Sequence, residues 1–169
     1  MLFNSRDFFS AAEVVTDIME KYLPMLRCSR IFDKDSIELL SELTEGMWLL
    51  PDIIRVNSLT NFSWVHAEGD DILVEPLIPE DEPLTPELLE ARRKIALDHE
   101  TIPNYLISLD GKTALLYGAL RPSIDVQIPL LPIVKAARVL NEKVQRTDHT
   151  LYVYGGPAVT GGFQEATQN

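Results

Sequence analysis

The dipeptide Asp110-Gly111 lies between two apolar segments, residues 105–109 and 113–117. Asp-Gly favours the tight turns that join antiparallel strands, because glycine adopts positive φ without steric cost and Asp tolerates it better than most residues. We therefore expect a β-hairpin at this position. A chain with such a hairpin is not all-helical, and the helical patterns on both sides of the hairpin predict a mixed α+β fold.

Helical periodicity is clear in three segments. The first begins at Asp33 or Asp35, which can cap it, and ends before Pro51. The second begins at Thr85-Pro86-Glu87, an N-cap followed by a proline and an acid, and runs to about Asp98. The apolar face of the first helix consists of Ile37, Leu40, Leu43 and Met47. The apolar face of the third consists of Leu130, Ile133, Val134, Ala137, Leu140 and Val144.

Strands are predicted from β-branched or alternating segments at residues 53–59, 72–74 and 150–154, and residues 60–71 are predicted to form a loop. The order is therefore helix, strand, an inserted strand and helix, hairpin, helix, strand. Without the insertion, this is the α-β-β-α-β tail of a ferredoxin-like βαββαβ unit. Its first strand should precede Asp33, but the sequence does not fix its position, because segment 25–31 is short and cationic.

The two ends of the chain lie outside this unit. Residues 10–22 have helical spacing that Pro24 would end, although a strand remains an alternative there. Residues 158–169 are expected to begin a helix that continues past Asn169. We thus divide the chain into an N-terminal helical segment (1–30), an α/β domain (31–157) and the start of a truncated helix (158–169).

The charge balance excludes some partners. The chain carries 15 Lys+Arg against 26 Asp+Glu, a net charge of −11. Such a chain would repel nucleic acid and an anionic membrane surface. The single cysteine, Cys28, forms no disulfide within the chain. No apolar run reaches the roughly 18–20 residues of a membrane span.

Two glycine-containing segments resemble nucleotide-binding loops only superficially. Gly111-Lys112-Thr113 matches the end of a phosphate-binding loop, but Leu106 occupies the position of the required first glycine. Residues 155–162 follow a strand, but their glycine spacing differs from that of a dinucleotide-binding turn. We therefore expect a hairpin turn and a strand-to-helix joint, and no cofactor.

Candidate catalytic and metal-binding residues are few. The acids of residues 68–71 suit Mg²⁺ or Ca²⁺, but a solvated turn is the simpler interpretation. His66, His99 and His149 show no metal-binding spacing, so no metal site and no catalytic residue is predicted. A Ser-His-Asp group could still assemble in space, and a cluster of one of these histidines with Asp and Ser would favour a small enzyme.

Phe62 and Trp64 are the two residues that we predict to contact a substrate or partner. Both lie in the predicted loop, where an aromatic side chain can face an apolar ligand.

Several stretches, in the same order, resemble a known family. Residues 56–62, with Ser58-Leu59-Thr60-Asn61, and residues 67–75, with Glu68-Gly69-Asp70-Asp71, are similar to the first large periplasmic loop of exporters of the resistance-nodulation-division (RND) superfamily, in the branch related to the MMPL-type lipid exporters. Residues 31–45 resemble the preceding helix, residues 108–113 the hairpin, and residues 152–159 the exit toward the second transmembrane helix.

The resemblance implies a ferredoxin-like porter subdomain on the extracytoplasmic, periplasmic side of the cytoplasmic membrane. The whole protein would have about twelve transmembrane helices and would use the proton gradient, with its proton-relay carboxylates in those helices. The implied partners are the rest of the same transporter chain, its second periplasmic loop, and a hydrophobic small molecule or lipid, and a second copy of the chain is a further candidate.

This non-enzymatic exporter role is the function that we expect. The alternative is a stand-alone ferredoxin-like module for ligand binding or regulation. A domain from a larger assembly should expose an apolar patch beyond the few hundred Å² that are usual on a monomer.

Overall fold

The computed structural model describes residues 21–121 and 130–154. These residues form a mixed α+β fold, as predicted. The described helices are α1 (Lys34–Trp48), α2 (Pro86–Asp98) and α3 (Leu130–Val144). The described strands are β1 (Lys21–Arg27), β2 (Ile53–Asn57), β3 (Ser63–Glu68), β4 (Asp71–Pro76), β5 (Thr113–Leu115), β6 (Tyr117–Leu120) and β7 (Thr150–Tyr154).

Strand β1 lies at the centre of the larger sheet. It pairs antiparallel with β5 and β6 along one edge and with β7 along the other. Strand β2 pairs antiparallel with β6. The pairs Met25–Leu115 and Tyr22–Gly118 belong to one register, so β5 and β6 act as a single strand interrupted at Leu116. The sheet therefore has the order β2, β5/β6, β1, β7.

The position of β1 corrects one prediction. Residues 21 and 22 belong to β1 and not to the predicted helix 10–22, whose remaining residues lie outside the described part of the chain. Pro24, which we interpreted as the end of that helix, is inside the strand. Proline lacks the N–H that a central strand normally donates, and the ladder between β1 and β5/β6 is interrupted at Leu23 and Pro24.

The predicted caps of the first two helices are confirmed. The Asp33 carboxylate accepts a hydrogen bond from the backbone N–H of Ser36 at 2.8 Å and so begins α1. Thr85 Oγ1 accepts from the N–H of Leu88 at 3.2 Å and begins α2, with Pro86 in its first turn. The residues that were predicted for the apolar face of α1 are all buried: Ile37, Leu40, Leu43 and Met47.

Helices α1 and α3 pack against each other at Gly46. A Cβ atom at this position would overlap the partly buried side chain of Leu140 on α3, which would have to shift. Ile133, Val134, Ala137 and Val144 of α3 are buried, as its apolar periodicity predicts. No helix within residues 21–121 and 130–154 is long and apolar enough to cross a membrane.

The predicted loop at residues 60–71 is wrong. Residues 63–68 form β3, which pairs with β4 as a separate two-stranded hairpin. The acidic segment 68–71 forms its turn, where Gly69 has a φ of +64°. The sequence does not indicate this strand clearly, because Trp64 and His66 alternate with Val65 and Ala67. Neither face of the strand is therefore wholly apolar or wholly polar.

The turn at Asp110-Gly111 is confirmed, but its first arm is shorter than predicted. Gly111 has a φ of +69°, and the Ser108 N–H donates to the Thr113 carbonyl oxygen at 2.9 Å. Strand pairing between the two arms is confined to an isolated bridge between Ile107 and Ala114. The preceding residues form a tight turn in which the Leu106 N–H donates to the Ile102 carbonyl oxygen at 2.8 Å.

Candidate functional site

A Ser-His-Asp group does assemble in space. The Oγ of Ser36, at the start of α1, lies 2.8 Å from Nε2 of His149, which precedes β7. Nδ1 of the same ring lies 2.8 Å from Oδ1 of Asp148. The hydrogen bond from His149 lowers the pKa of the Asp148 carboxyl below its ordinary value. This is the atomic connectivity of a serine hydrolase triad.

The hydrogen-bond partners of Ser36 differ from those of a triad serine. The Ser36 hydroxyl has one proton, and the Arg30 carbonyl oxygen at 2.9 Å and Asp33 Oδ2 at 3.1 Å both accept it. The hydroxyl proton is therefore not reserved for Nε2 of His149, whereas a triad requires the serine proton to move to histidine.

Burial also distinguishes this group from a reactive site. Ser36 is fully buried and His149 is 5% exposed, so no substrate carbonyl reaches the hydroxyl in this conformation. Arg146 on the same turn donates to Glu42 Oε1 at 2.9 Å and to the Asp35 carbonyl oxygen at 3.2 Å. The group thus joins the start of α1 to the segment between α3 and β7.

Cys28 lies at the edge of the same group. Its Sγ is 3.4 Å from Ser36 Oγ, a contact between two weak partners. Burial raises the pKa of the Cys28 thiol, and the nearby carboxylates of Asp33 and Asp148 act in the same direction. The thiol is therefore a poor nucleophile at neutral pH.

The other two histidines lie elsewhere, so the three predicted candidates do not converge. His66 is on β3, and its ring stacks on Trp64 with centroids 3.7 Å apart. His99 follows α2, where its Nδ1 accepts from the Thr101 N–H at 3.1 Å. In the part of the chain that the structure describes, no group of three or more His, Cys, Asp or Glu could hold a metal ion.

Phe62 and Trp64, the predicted contact residues, hold the β3–β4 hairpin on α2. Both are half-buried, and with His66 they share the face of β3 that points toward α2. The Phe62 ring meets His99 edge-on with centroids 5.2 Å apart. The guanidinium of Arg92 lies 5.3 Å from the Trp64 ring centroid and 3.5 Å from the Glu75 carboxylate.

Trp64 also lines a groove of about 450 Å³, whereas Phe62 only supports its wall through His99. The groove combines an apolar side with an acidic end. Trp64 and Ile95 supply its apolar side chains, and the polar residues are Asp98, His99, Glu100 and Thr101. It lies between the hairpin and the end of α2, and its volume suits a small amphiphilic molecule.

A larger groove of about 600 Å³ follows α1. Trp48, half-exposed, lies at one end, and the segment before α2 forms the opposite wall with Ile78 and Leu84. Its acidic residues are Glu38, Glu42, Glu45, Glu80 and Glu82. Sequence reasoning missed it because the two walls come from distant segments.

The face of the hairpin that points away from α2 is an exposed surface, which we call the outer face. It consists of Ser63, Val65, Ala67, Ile72, Val74 and Pro76. All six are exposed, and none is charged. Their period-2 spacing on both sides of Gly69-Asp70 was the sequence signal for this surface, and a strand prediction at 63–68 would have found it.

The resemblance segment 58–61 has a clear structural role. The hydroxyls of Ser58 and Thr60 bond to each other at 2.7 Å and to Thr44 of α1 at 2.8 and 3.0 Å, and all three residues are buried. Asn61 accepts from the Ser58 N–H and donates to the Val56 carbonyl oxygen.

No protein-family model matches the chain, and no curated protein is detected as its relative.

Proposed function

We propose that the chain is the extracytoplasmic porter domain of an RND-type exporter of hydrophobic or lipid-like substrates. In this proposal the domain has a ferredoxin-like βαββαβ core with the β3–β4 hairpin and α2 inserted after β2. It is not an enzyme, and it works as one part of a membrane transporter.

The strand order carries the proposal. Without the insertion, the elements follow as β1, α1, β2, β5/β6, α3 and β7. The third strand of this series lies between the first and second, the fourth lies beside the first, and all pairings among these strands are antiparallel. This order supports the proposed ferredoxin-like unit, in which two βαβ halves interleave their strands.

The resemblance to RND exporters supports the proposal that this unit is one domain of a transporter. The residues that carry it most specifically, 58–61, tie the end of β2 to α1 through buried hydroxyls. Buried hydroxyls of this kind stabilise a fold and do not carry out a reaction. This agrees with a transporter whose proton-relay carboxylates lie in other, membrane-spanning segments of the protein.

Within this proposal, the groove beside Trp64 is the point of substrate contact. It offers an aromatic ring and Ile95 for an apolar tail, and Thr101 and His99 as hydrogen-bonding groups at its other end. The rest of the transporter chain and its second periplasmic loop would surround the domain.

The first test is to read the coding sequence on both sides of the segment. The proposal expects a span of about twenty apolar residues shortly before residue 1 and another shortly after residue 169. A stop codon after Asn169 together with the lack of an upstream span would overturn it, and would favour the stand-alone ligand-binding module.

A second test measures transport. Cells that express the full-length protein are loaded with the hydrophobic dye Nile red, and its efflux is followed by fluorescence. We expect Trp64→Ala to slow efflux and Trp48→Ala, a change of the same size in the α1 groove, to leave it unchanged. Equal effects of the two variants would contradict the assignment of the Trp64 groove.

A further inference from the structure

The outer face of the β3–β4 hairpin is an apolar sheet surface that no element of residues 21–121 or 130–154 covers. Val65 is 56% exposed, Ile72 76% and Val74 65%, and the three lie together because Val65 pairs with Val74 and Ala67 with Ile72. The flanking pair Ser63–Pro76 is also uncharged. Isolated exposed hydrophobic residues are ordinary, but a contiguous apolar face marks a contact surface.

The outer face carries no charge. Charged residues form 24% of the sequence, and none occupies the six outward positions of the hairpin. Two-stranded sheets are marginally stable in water and normally need cover on an apolar face. The opposite face of the hairpin is covered by α2, because Arg92 of α2 contacts both Trp64 and Glu75.

The rim of the outer face is acidic. Glu68, Asp70 and Asp71 surround the turn at the end of the hairpin, and all three are exposed. Within the described residues, none of these carboxylates takes part in an ion pair. An uncharged centre beside unpaired acids is complementary to an apolar surface that carries basic residues at its edge.

The geometry points to the outer face as a docking site for a polypeptide surface with β-branched or aliphatic residues at its centre and Lys or Arg at its edge. A second copy of the hairpin lacks the required charge, because residues 63–76 contain no Lys or Arg. An anionic membrane would be repelled by the same carboxylates. This docking does not depend on the exporter assignment.

The test uses three synthetic octapeptides as probes and the full 169-residue chain labelled with ¹⁵N. An alternating Val-Lys peptide presents both features, Val-Glu reverses the charge, and Ser-Lys keeps the charge without the apolar side chains. We expect Val-Lys to shift the amide signals of residues 63–76 and the other two peptides to bind at least about tenfold more weakly. Equal binding of Val-Glu or of Ser-Lys would overturn the proposal.

Matched variants localise the site. Val74→Thr keeps β-branching and strand propensity but places a hydroxyl on the outer face, so we expect Val-Lys binding to weaken roughly fivefold. Val139→Thr makes the same change on α3, where Val139 is 62% exposed, and should leave binding unchanged. Equal loss in both variants would refute docking at the hairpin.

Two other possible occupants of the outer face, a second copy of the chain and a lipid membrane, can also be tested. Sedimentation equilibrium of the unmodified chain would reveal a dimer, and a dimer that Val74→Thr dissociates would replace the proposal with self-association. Flotation with vesicles of phosphatidylglycerol and phosphatidylcholine would reveal lipid binding, and flotation that Val74→Thr abolishes would replace it with a membrane contact. The proposal expects neither.

Discussion

The buried hydroxyls of Thr44, Ser58 and Thr60 allow a quantitative test of what fixes β2 to α1. The three oxygens lie 2.7–3.0 Å apart, and Thr44 Oγ1 also donates to the Leu40 carbonyl oxygen at 2.7 Å. Thr44→Val keeps the side-chain shape and removes the oxygen that both other hydroxyls contact. Three hydrogen bonds are lost: the two to Ser58 and Thr60 each have a net contribution of about 0.5–1.5 kcal/mol, whereas the bond to the Leu40 carbonyl oxygen is a local bond within the helix that adds little stability.

We therefore expect Thr44→Val to lower the free energy of unfolding by about 2 kcal/mol. With a urea dependence of about 2 kcal/mol per molar, the unfolding midpoint should fall by about 1 M. The assay is urea unfolding followed by tryptophan fluorescence and by circular dichroism, which should give the same midpoint. A change below about 0.5 kcal/mol, the usual range for an ordinary surface substitution, would refute the reasoning.

A multiple-mutant comparison separates lost hydrogen bonds from lost packing. Each single variant, Thr44→Val, Ser58→Ala or Thr60→Val, leaves at least one buried hydroxyl without its partner. The triple variant leaves none, so it should be destabilised by less than the sum of the three singles. Strictly additive values would show that the hydroxyls act independently and not as a network.

Three further predictions concern other contacts. Gly46→Ala should destabilise the fold by about 1 kcal/mol in a thermal melt, because overpacking against Leu140 outweighs the gain in helix propensity, and Leu140→Ala should remove most of that effect. Because the pKa of Asp148 is lowered in the folded state, its bond to His149 stabilises above the ordinary pKa of 3.8 and is lost as pH falls through the lower folded value. The stability difference between wild type and Asp148→Asn should therefore shrink in acid, and a difference that grows there would contradict this sign. Burial raises the pKa of Cys28 above 9.0, so iodoacetamide should alkylate the folded chain more slowly than the urea-unfolded chain at neutral pH, as mass spectrometry can measure; equal rates would show that the thiol is not shielded.

The elements that could be predicted are those whose signals are local. The side chains of Asp33 and Thr85 cap helices because each reaches a backbone N–H three residues ahead. The Asp110-Gly111 turn depends on one positive φ at Gly111. Strand β7 was predicted with its observed bounds, because residues 150–154 are mostly apolar or β-branched and glycine follows them.

The elements that could not be predicted depend on distant segments. Pro24 argued against a central strand, and only pairing with β7 and β5/β6 makes β1 one. The bond between Ser36 and His149 joins residues 113 positions apart, so no spacing rule reveals it. Trp64 was predicted to lie in a loop, but it lies on β3, where it pairs with Glu75 of β4 and contacts Arg92 of α2.

The central position of β1 constrains the order in which the larger sheet can form during synthesis. The first described strand pairs with residues 113–119 and 150–154, so both of its edges are completed by segments that leave the ribosome much later. Contacts of such high sequence separation slow folding, because a long loop must close before they form. The β3–β4 hairpin and α2 need no such partner and can form early. During synthesis, β1 would therefore present two unpaired edges until β5/β6 emerges and one until β7 emerges. A chain that ended before residue 150 would keep that second edge open for aggregation.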